Sequence, residues 1–226
     1  MNWFISVLLI TGSSDLPYHE WKETAPALKA MLESTKRMAV TLVADPRDVS
    51  ADRLAGYDVV VVDYNGPRWN PEVELAVADF VAMGKGIVTF HLDSYTFEGW
   101  AHWPDIIGAT WFKLGHSKRR VFKVDIQDKD HPITKGMGDS FDTDDELYNG
   151  LTLKPGTHVL ADAWDDPAAN GTGKRHPLVW TCAYGKGRTL HVTLGHDLKS
   201  LSSDGFQKLM QRGTEWAARG EVTARP

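Results

Sequence analysis

The sequence predicts an α/β fold in three layers, with a mainly parallel sheet and helices on both faces. Two observations carry that expectation. Short apolar runs rich in β-branched residues recur at Trp3 to Ile10, Met38 to Ala44, Asp58 to Val62 and Ile87 to Phe90. Without polar alternation, such runs read as strands buried on both faces. Between them lie stretches of helical period, Trp21, Ala25, Leu28 and Leu32 in one and Val73, Val77, Phe80 and Val81 in the other.

Taken in order, the first strand ends at Thr11-Gly12-Ser13-Ser14, and Tyr18, His19 and Glu20 precede the first helix. An amphipathic stretch from Asp48 to Ala55 leads into the third strand. Asn70-Pro71 is a helix start, a cap followed by proline at the first helical position. Gly84 and Gly86 close that helix before the fourth strand. The βαβ order of residues 1–91 implies right-handed crossovers and a flavodoxin-like arrangement.

The middle is less regular. Trp100, Trp103 and Trp111 surround His102, and the segment Phe141 to Tyr148 is acidic, with no packing pattern. Val121 to Ile126, Thr157 to Ala163, Pro177 to Ala183 and Thr189 to Leu194 read as strands. Gly185-Lys186-Gly187-Arg188 is a tight turn that makes the last two a hairpin. A helix from Phe206 to Ala217 follows. No repeat or linker divides the chain, so residues 1–226 are expected to form a single domain.

Composition narrows the function. A formal charge of −5 argues against nucleic acid or an anionic membrane as partner. The one basic run, Lys118-Arg119-Arg120, reads as a solvated strand start. A single cysteine, Cys182 in an apolar run, excludes an internal disulfide framework and reads as a buried, inert thiol in a reducing, cytoplasmic setting. The first residues carry no basic segment ahead of their apolar run, so they read as a strand and not a signal peptide.

Ligands of open α/β sheets bind beyond the carboxyl ends of the strands. His19 follows the first strand, His91 ends the fourth and His196 follows the last. If the last strand runs parallel to the first, all three share one edge. His116, Asp145 and Glu146 lie in segments able to fold over it. Imidazoles and carboxylates converging in this way suit Zn²⁺, Mn²⁺ or Fe²⁺, although no short diagnostic spacing such as HExxH is present. Scattered structural histidines and a solvated acidic loop are the alternatives. Glu146 beside Leu147-Tyr148 suggests a partly buried carboxylate, suited to ligand or base duty. Trp69, Trp100, Trp103 and Trp111 could offer faces to a sugar.

These motifs, in their order, resemble the trehalose-utilisation (ThuA-like) family. The matching blocks include His19-Glu20-Trp21, Gly84 to His91, Trp103, Ile107-Gly108, His116, His131 to Thr134, Asp145-Glu146-Leu147-Tyr148, Tyr184 to Arg188 and Leu194 to Asp197. The segment Asp165 to Arg175 falls outside the pattern. The resemblance implies a class I glutamine amidotransferase-like fold without its nucleophile, because His91 stands at the elbow where that class has cysteine. An imidazole forms no thioester, so ammonia transfer is not expected. What the resemblance implies instead is a role in the metabolism of disaccharides and their 3-keto derivatives; chemically, a divalent metal polarising a keto group with Glu146 as base would serve isomerisation, elimination or hydrolysis. The expected catalytic residues are His91, Glu146 and His196, the metal ligands His19, His91, His116 and His196, and the substrate contacts Trp21, Trp103, Asp145 and Tyr148. Asp93 and Asp197 are expected to orient the imidazoles. A non-catalytic sugar-binding or regulatory module using the same crevice is the competing reading, and the sequence leaves a homo-oligomer open.

Overall fold

The structure, a computed structural model, describes residues 4–12, 19–91 and 97–223, without the side chains of residues 111–114. Strand β1 (Ile5–Gly12) leads through α1 (Trp21–Glu33) to β2 (Met38–Val43), and α2 (Ala51–Leu54) precedes β3 (Val59–Tyr64). Helix α3 (Pro71–Ala82) starts as expected, the Asn70 side chain accepting from the Val73 amide at 2.9 Å. Strand β4 (Gly86–Phe90) then ends at His91. The four strands are parallel neighbours in the order β2-β1-β3-β4.

Three strands stand where the sequence shows no pattern. After α4 (Trp103–Ile107), β5 (Ala109–His116) pairs with β8 (Tyr148–Leu153) in a small separate sheet. The acidic segment forms strand β7 (Ser140–Asp145), antiparallel to β6 (Arg120–Ile126) at the edge of the main sheet. An edge strand needs charge to discourage pairing with other chains, so composition alone reads like a loop. Strand β9 (His158–Asp165), β10 (Lys174–Tyr184) and β11 (Gly187–Val192) follow, then α5 (Leu198–Leu201) and α6 (Asp204–Arg219).

The main sheet runs β2-β1-β3-β4-β11-β10-β9-β6-β7. Its first five strands are parallel, and the four ladders from β11 outward to β7 are antiparallel. The sheet is therefore mixed, which corrects the expectation of a mainly parallel one. Parallel pairing needs a long crossover. The two-residue Gly185-Lys186 loop between β10 and β11 permits only antiparallel pairing.

Alternation along β1 divides the core. Val7 and Leu9 face α1 and α6, packing with Leu28, Leu32, Phe206 and Leu209. Leu8 and Ile10 face the other side, with Val73, Val77 and Val81 of α3 and Ile106 of α4. Helix α6 docks closely on β4, where a Cβ on Gly86 would lie 2.5 Å from the Ala217 carbonyl.

The basic run is not solvated in the manner expected. Arg120 pairs at 3.0 Å with Asp165, a fully buried carboxylate that also accepts from Ser117 Oγ and from the Thr172 amide. Arg119 bridges Asp144 and Asp197. Cys182 is half-buried, not fully buried, and its Sγ donates to the Ile106 carbonyl. Burial pushes its thiol up to about 11, so at neutral pH it stays protonated.

Candidate active site

Strand register creates the site. Val192 of β11 pairs with Phe90 of β4, so both strands end at one level. His91 and Thr193 leave side by side, and His196 follows three residues later. The His91 amide donates to the Val192 carbonyl at 2.8 Å. His91 turns at φ 49°, a left-handed conformation rare outside glycine. Three residues past the end of β11, Gly195 has φ 114°, and a Cβ there would lie 2.7 Å from the Phe90 ring. Its amide donates to Asp145 Oδ2 at 2.7 Å, which fixes the approach to His196.

Three imidazoles meet at this edge. The ring centroids of His19 and His91 are 5.0 Å apart, those of His19 and His196 4.6 Å, and those of His91 and His196 5.1 Å. One donor atom from each lies within 4.8 Å of the others. His91 Nδ1 is 3.3 Å from the Thr193 carbonyl, which can only accept, so Nδ1 carries the proton. Its bare Nε2 therefore faces the Tyr148 hydroxyl and His196 Nδ1, each at 3.2 Å. An imidazole oriented through its other nitrogen is the usual arrangement of a metal ligand.

The charges follow the geometry. Burial and then the neighbouring histidines hold His91 well below the ordinary imidazole range. Burial, followed by His196, lowers His19 to about 4. Both are neutral at pH 7 and can offer lone pairs. Burial also opposes charge on His196, but Glu146 Oε2 at 3.3 Å outweighs it and raises the imidazole. Burial correspondingly works to raise Glu146, yet its contact with His196 lowers it overall. Glu146 and His196 thus favour each other's charged form beside the Nε2 of His91.

The other expected residues separate. Tyr148 is buried against His91 and reaches the cluster. Trp21 lines the cavity. His116 is exposed, 3.6 Å from Glu146 and tilted against Tyr148, and stands outside the donor cluster. Asp145 is fully buried, with one oxygen on the Glu146 amide and the other on Gly195, so it ties β7 to β11 instead of facing a ligand. Trp103 is 2% exposed, stacked on Trp100 at 5.0 Å and tilted against Phe97. Trp69 and Trp100 are buried in the same aromatic cluster, which fills the space beneath α4, so these rings serve packing. Asp197 orients no imidazole by hydrogen bond. It binds Arg119 and caps α5 by accepting from the Ser200 amide. Asp93, Tyr18 and the Trp111 side chain lie outside the described residues.

Asp63 lines the same cavity from the carboxyl end of β3, accepting from Thr24 Oγ1 at 2.9 Å. Burial pushes its carboxyl up to about 7. The strand-end rule that singles out His91 applies equally here. Because Asp63 and Tyr64 are themselves strand residues, the polar change falls inside the element and not after it.

The sequence model of the ThuA family, described as trehalose utilisation, matches residues 6–217. The chain belongs to the ThuA family. Membership gives this ThuA chain a carbohydrate-related role. A ThuA-like protein from Parabacteroides merdae is similar in structure at a TM-score of 0.88, with 29% identity over 99% of this chain and 93% of that one. A ThuA-like protein from Bacteroides uniformis follows at 0.78, with 17% identity over 97% and 93%. A cytoplasmic protein of Salmonella typhimurium has the same fold at 0.70, with 14% identity over 95% and 100%. No curated protein matches the ThuA chain. Among its described residues, no helix is long and apolar enough to cross a membrane.

Proposed function

We propose that this protein is an enzyme that modifies a disaccharide or keto-sugar, with a divalent metal held by His19, His91 and His196. The observation that carries the reading is the bare Nε2 of His91, aimed by the Thr193 carbonyl at a point shared with His196. Two nitrogens bound to one zinc-like ion at about 2.0 Å stand a little over 3 Å apart, and these are 3.2 Å apart. A donor atom of His19 lies within 4.8 Å of both. Such an ion would polarise a sugar carbonyl or hydroxyl.

The chain's own groups supply the proton handling. Glu146, ionised by its pairing with His196, is the base for a proton next to a carbonyl. The Tyr148 hydroxyl can hold a proton at the same Nε2 of His91. With histidine at the elbow, glutamine amidotransfer lacks its nucleophile. The β2-β1-β3-β4-β11 order supports a flavodoxin-like reading of the parallel half, and a cytoplasmic home accords with the Salmonella neighbour.

Elemental analysis of protein purified without chelator, joined to a turnover screen on 3-keto-disaccharides, tests the proposal. Stoichiometric Zn, Mn or Fe with turnover is the expected result. His91→Ala and His196→Ala should lose metal and turnover together while retaining the circular dichroism of the fold. Sugar binding without metal or turnover would replace the enzyme with a binding module.

A further inference from the structure

The cavity at the histidines is about 20 Å³, room for an ion or a water but not for a sugar ring. The body of any substrate must therefore lie elsewhere. Next to it is an open groove of about 630 Å³, within the range of small-molecule sites. Trp21 and Tyr64 line both, so groove and cavity share a wall. The groove runs over the loops that follow β2 and β3, on the carboxyl side of the parallel strands. Its far wall includes Trp69, held edge-on to Tyr64 at 5.5 Å. Tyr64 is itself fixed, its hydroxyl donating to the Pro67 carbonyl at 2.6 Å.

The polar side chains limit the class of ligand. Arg68 is held by both oxygens of Glu74, at 2.6 and 2.7 Å, and by the Gly99 carbonyl at 2.8 Å. Arg47 is paired with Asp45. Among the described lining residues each guanidinium is already matched by a carboxylate, so these two arginines offer no uncompensated positive charge to a phosphate. The partly exposed Trp21 ring, on the wall shared with the cavity and beside neutralised hydrogen-bonding groups, suits an uncharged, polyhydroxylated ring. We propose that this groove binds the body of a neutral oligosaccharide, with one end entering the histidine cavity. The proposal rests on the sugar-modifying reading of that cavity and adds where the rest of the substrate lies.

Ala44 is an exposed lining residue, so Ala44→Phe obstructs the groove without disturbing a buried group, and Arg47→Ala removes an exposed donor. Calorimetric titration with trehalose, maltose, glucose and glucose 6-phosphate reads the outcome, with metal content and circular dichroism measured on each variant. Disaccharides are expected to bind at least tenfold tighter than glucose, and the phosphate to gain nothing over glucose. Ala44→Phe should weaken disaccharide binding at least tenfold and Arg47→Ala several-fold, with metal content and fold unchanged. Disaccharide binding that survives both groove variants but is lost in His91→Ala overturns the groove and leaves the histidine site standing. Preference for the phosphate overturns the neutral-ligand assignment. Binding that depends on Ala44 in a protein with neither metal nor turnover keeps the groove and removes the enzyme. A wild-type protein that binds none of the four sugars overturns both.

Discussion

His91 carries a conformation that its own side chain opposes. A left-handed backbone costs a residue with a Cβ about 1–2 kcal/mol, whereas glycine adopts it freely. His91→Gly should therefore be more stable than His91→Ala by about 1 kcal/mol in denaturant unfolding, the reverse of the order expected in an ordinary strand. Equal stabilities would show that the φ of 49° is not a strained state of the folded chain. Asp63 makes a pH prediction of definite sign. Burial raises its folded-state pKa to about 7, so on raising the pH the unfolded chain releases this proton first. Stability linked to Asp63 is intact below about pH 4 and declines as the pH approaches 7. The melting temperature of Asp63→Asn should thus gain on the wild type between those limits and keep a constant lead above them. A lead independent of pH would refute the desolvated carboxyl. Strand ends made His19, His91 and His196 legible in the sequence, because a polar residue closing an apolar run has few reasons to be there. Trp103 and Asp145 were legible as unusual residues but not as buried ones, since burial depends on what folds over them.

At the scale of elements, the parallel strands and their helices were readable because buried strands and amphipathic helices each impose a period. Strands β5, β7 and β8 impose none that survives in composition. β7 is an acidic edge, and after its buried first residue β8 alternates between half-buried and exposed positions in a two-stranded ribbon with β5. Arg119 shows how this illegible half supports the site. Its guanidinium joins Asp144 on β7 to Asp197 before α5, the positions flanking Asp145-Glu146 and His196. Arg119→Met leaves Asp144 to Lys199 at 2.5 Å but frees Asp197. We expect a loss of about 1–3 kcal/mol in stability and a larger fall in turnover than in sugar affinity, because the Glu146–His196 pair loses its alignment. Unchanged turnover in a folded variant would make the bridge a surface feature alone. By contrast, Cys182→Ala should change stability by less than about 1.5 kcal/mol and leave activity intact, since the thiol makes only weak hydrogen bonds, to the Ile106 carbonyl and Thr189, and sits away from the clustered histidines. Loss of turnover with the fold retained would give the thiol a part in the chemistry.

For the molecule as a whole, the strand order has a consequence for assembly in time. β11 is the last strand to be synthesised, yet it lies in the middle of the main sheet, between β4 and β10. Until it arrives, β4 presents an open hydrogen-bonding edge and the two halves of the sheet have no shared ladder. The His91–His196 contact spans 105 residues, among the costlier loops the chain must close. Pulse-labelled hydrogen exchange during refolding should show the β4 and β10 amides becoming protected together with those of β11, after β1, β2 and β3. Protection of β4 and β10 well before β11 would contradict that order. During synthesis, then, the histidine edge has no existence in partial chains. A ribosome that stalls before Gly187 releases a protein with an exposed seam and no three-histidine cluster, and the strand that brings His196 to the others is also the one that closes the fold.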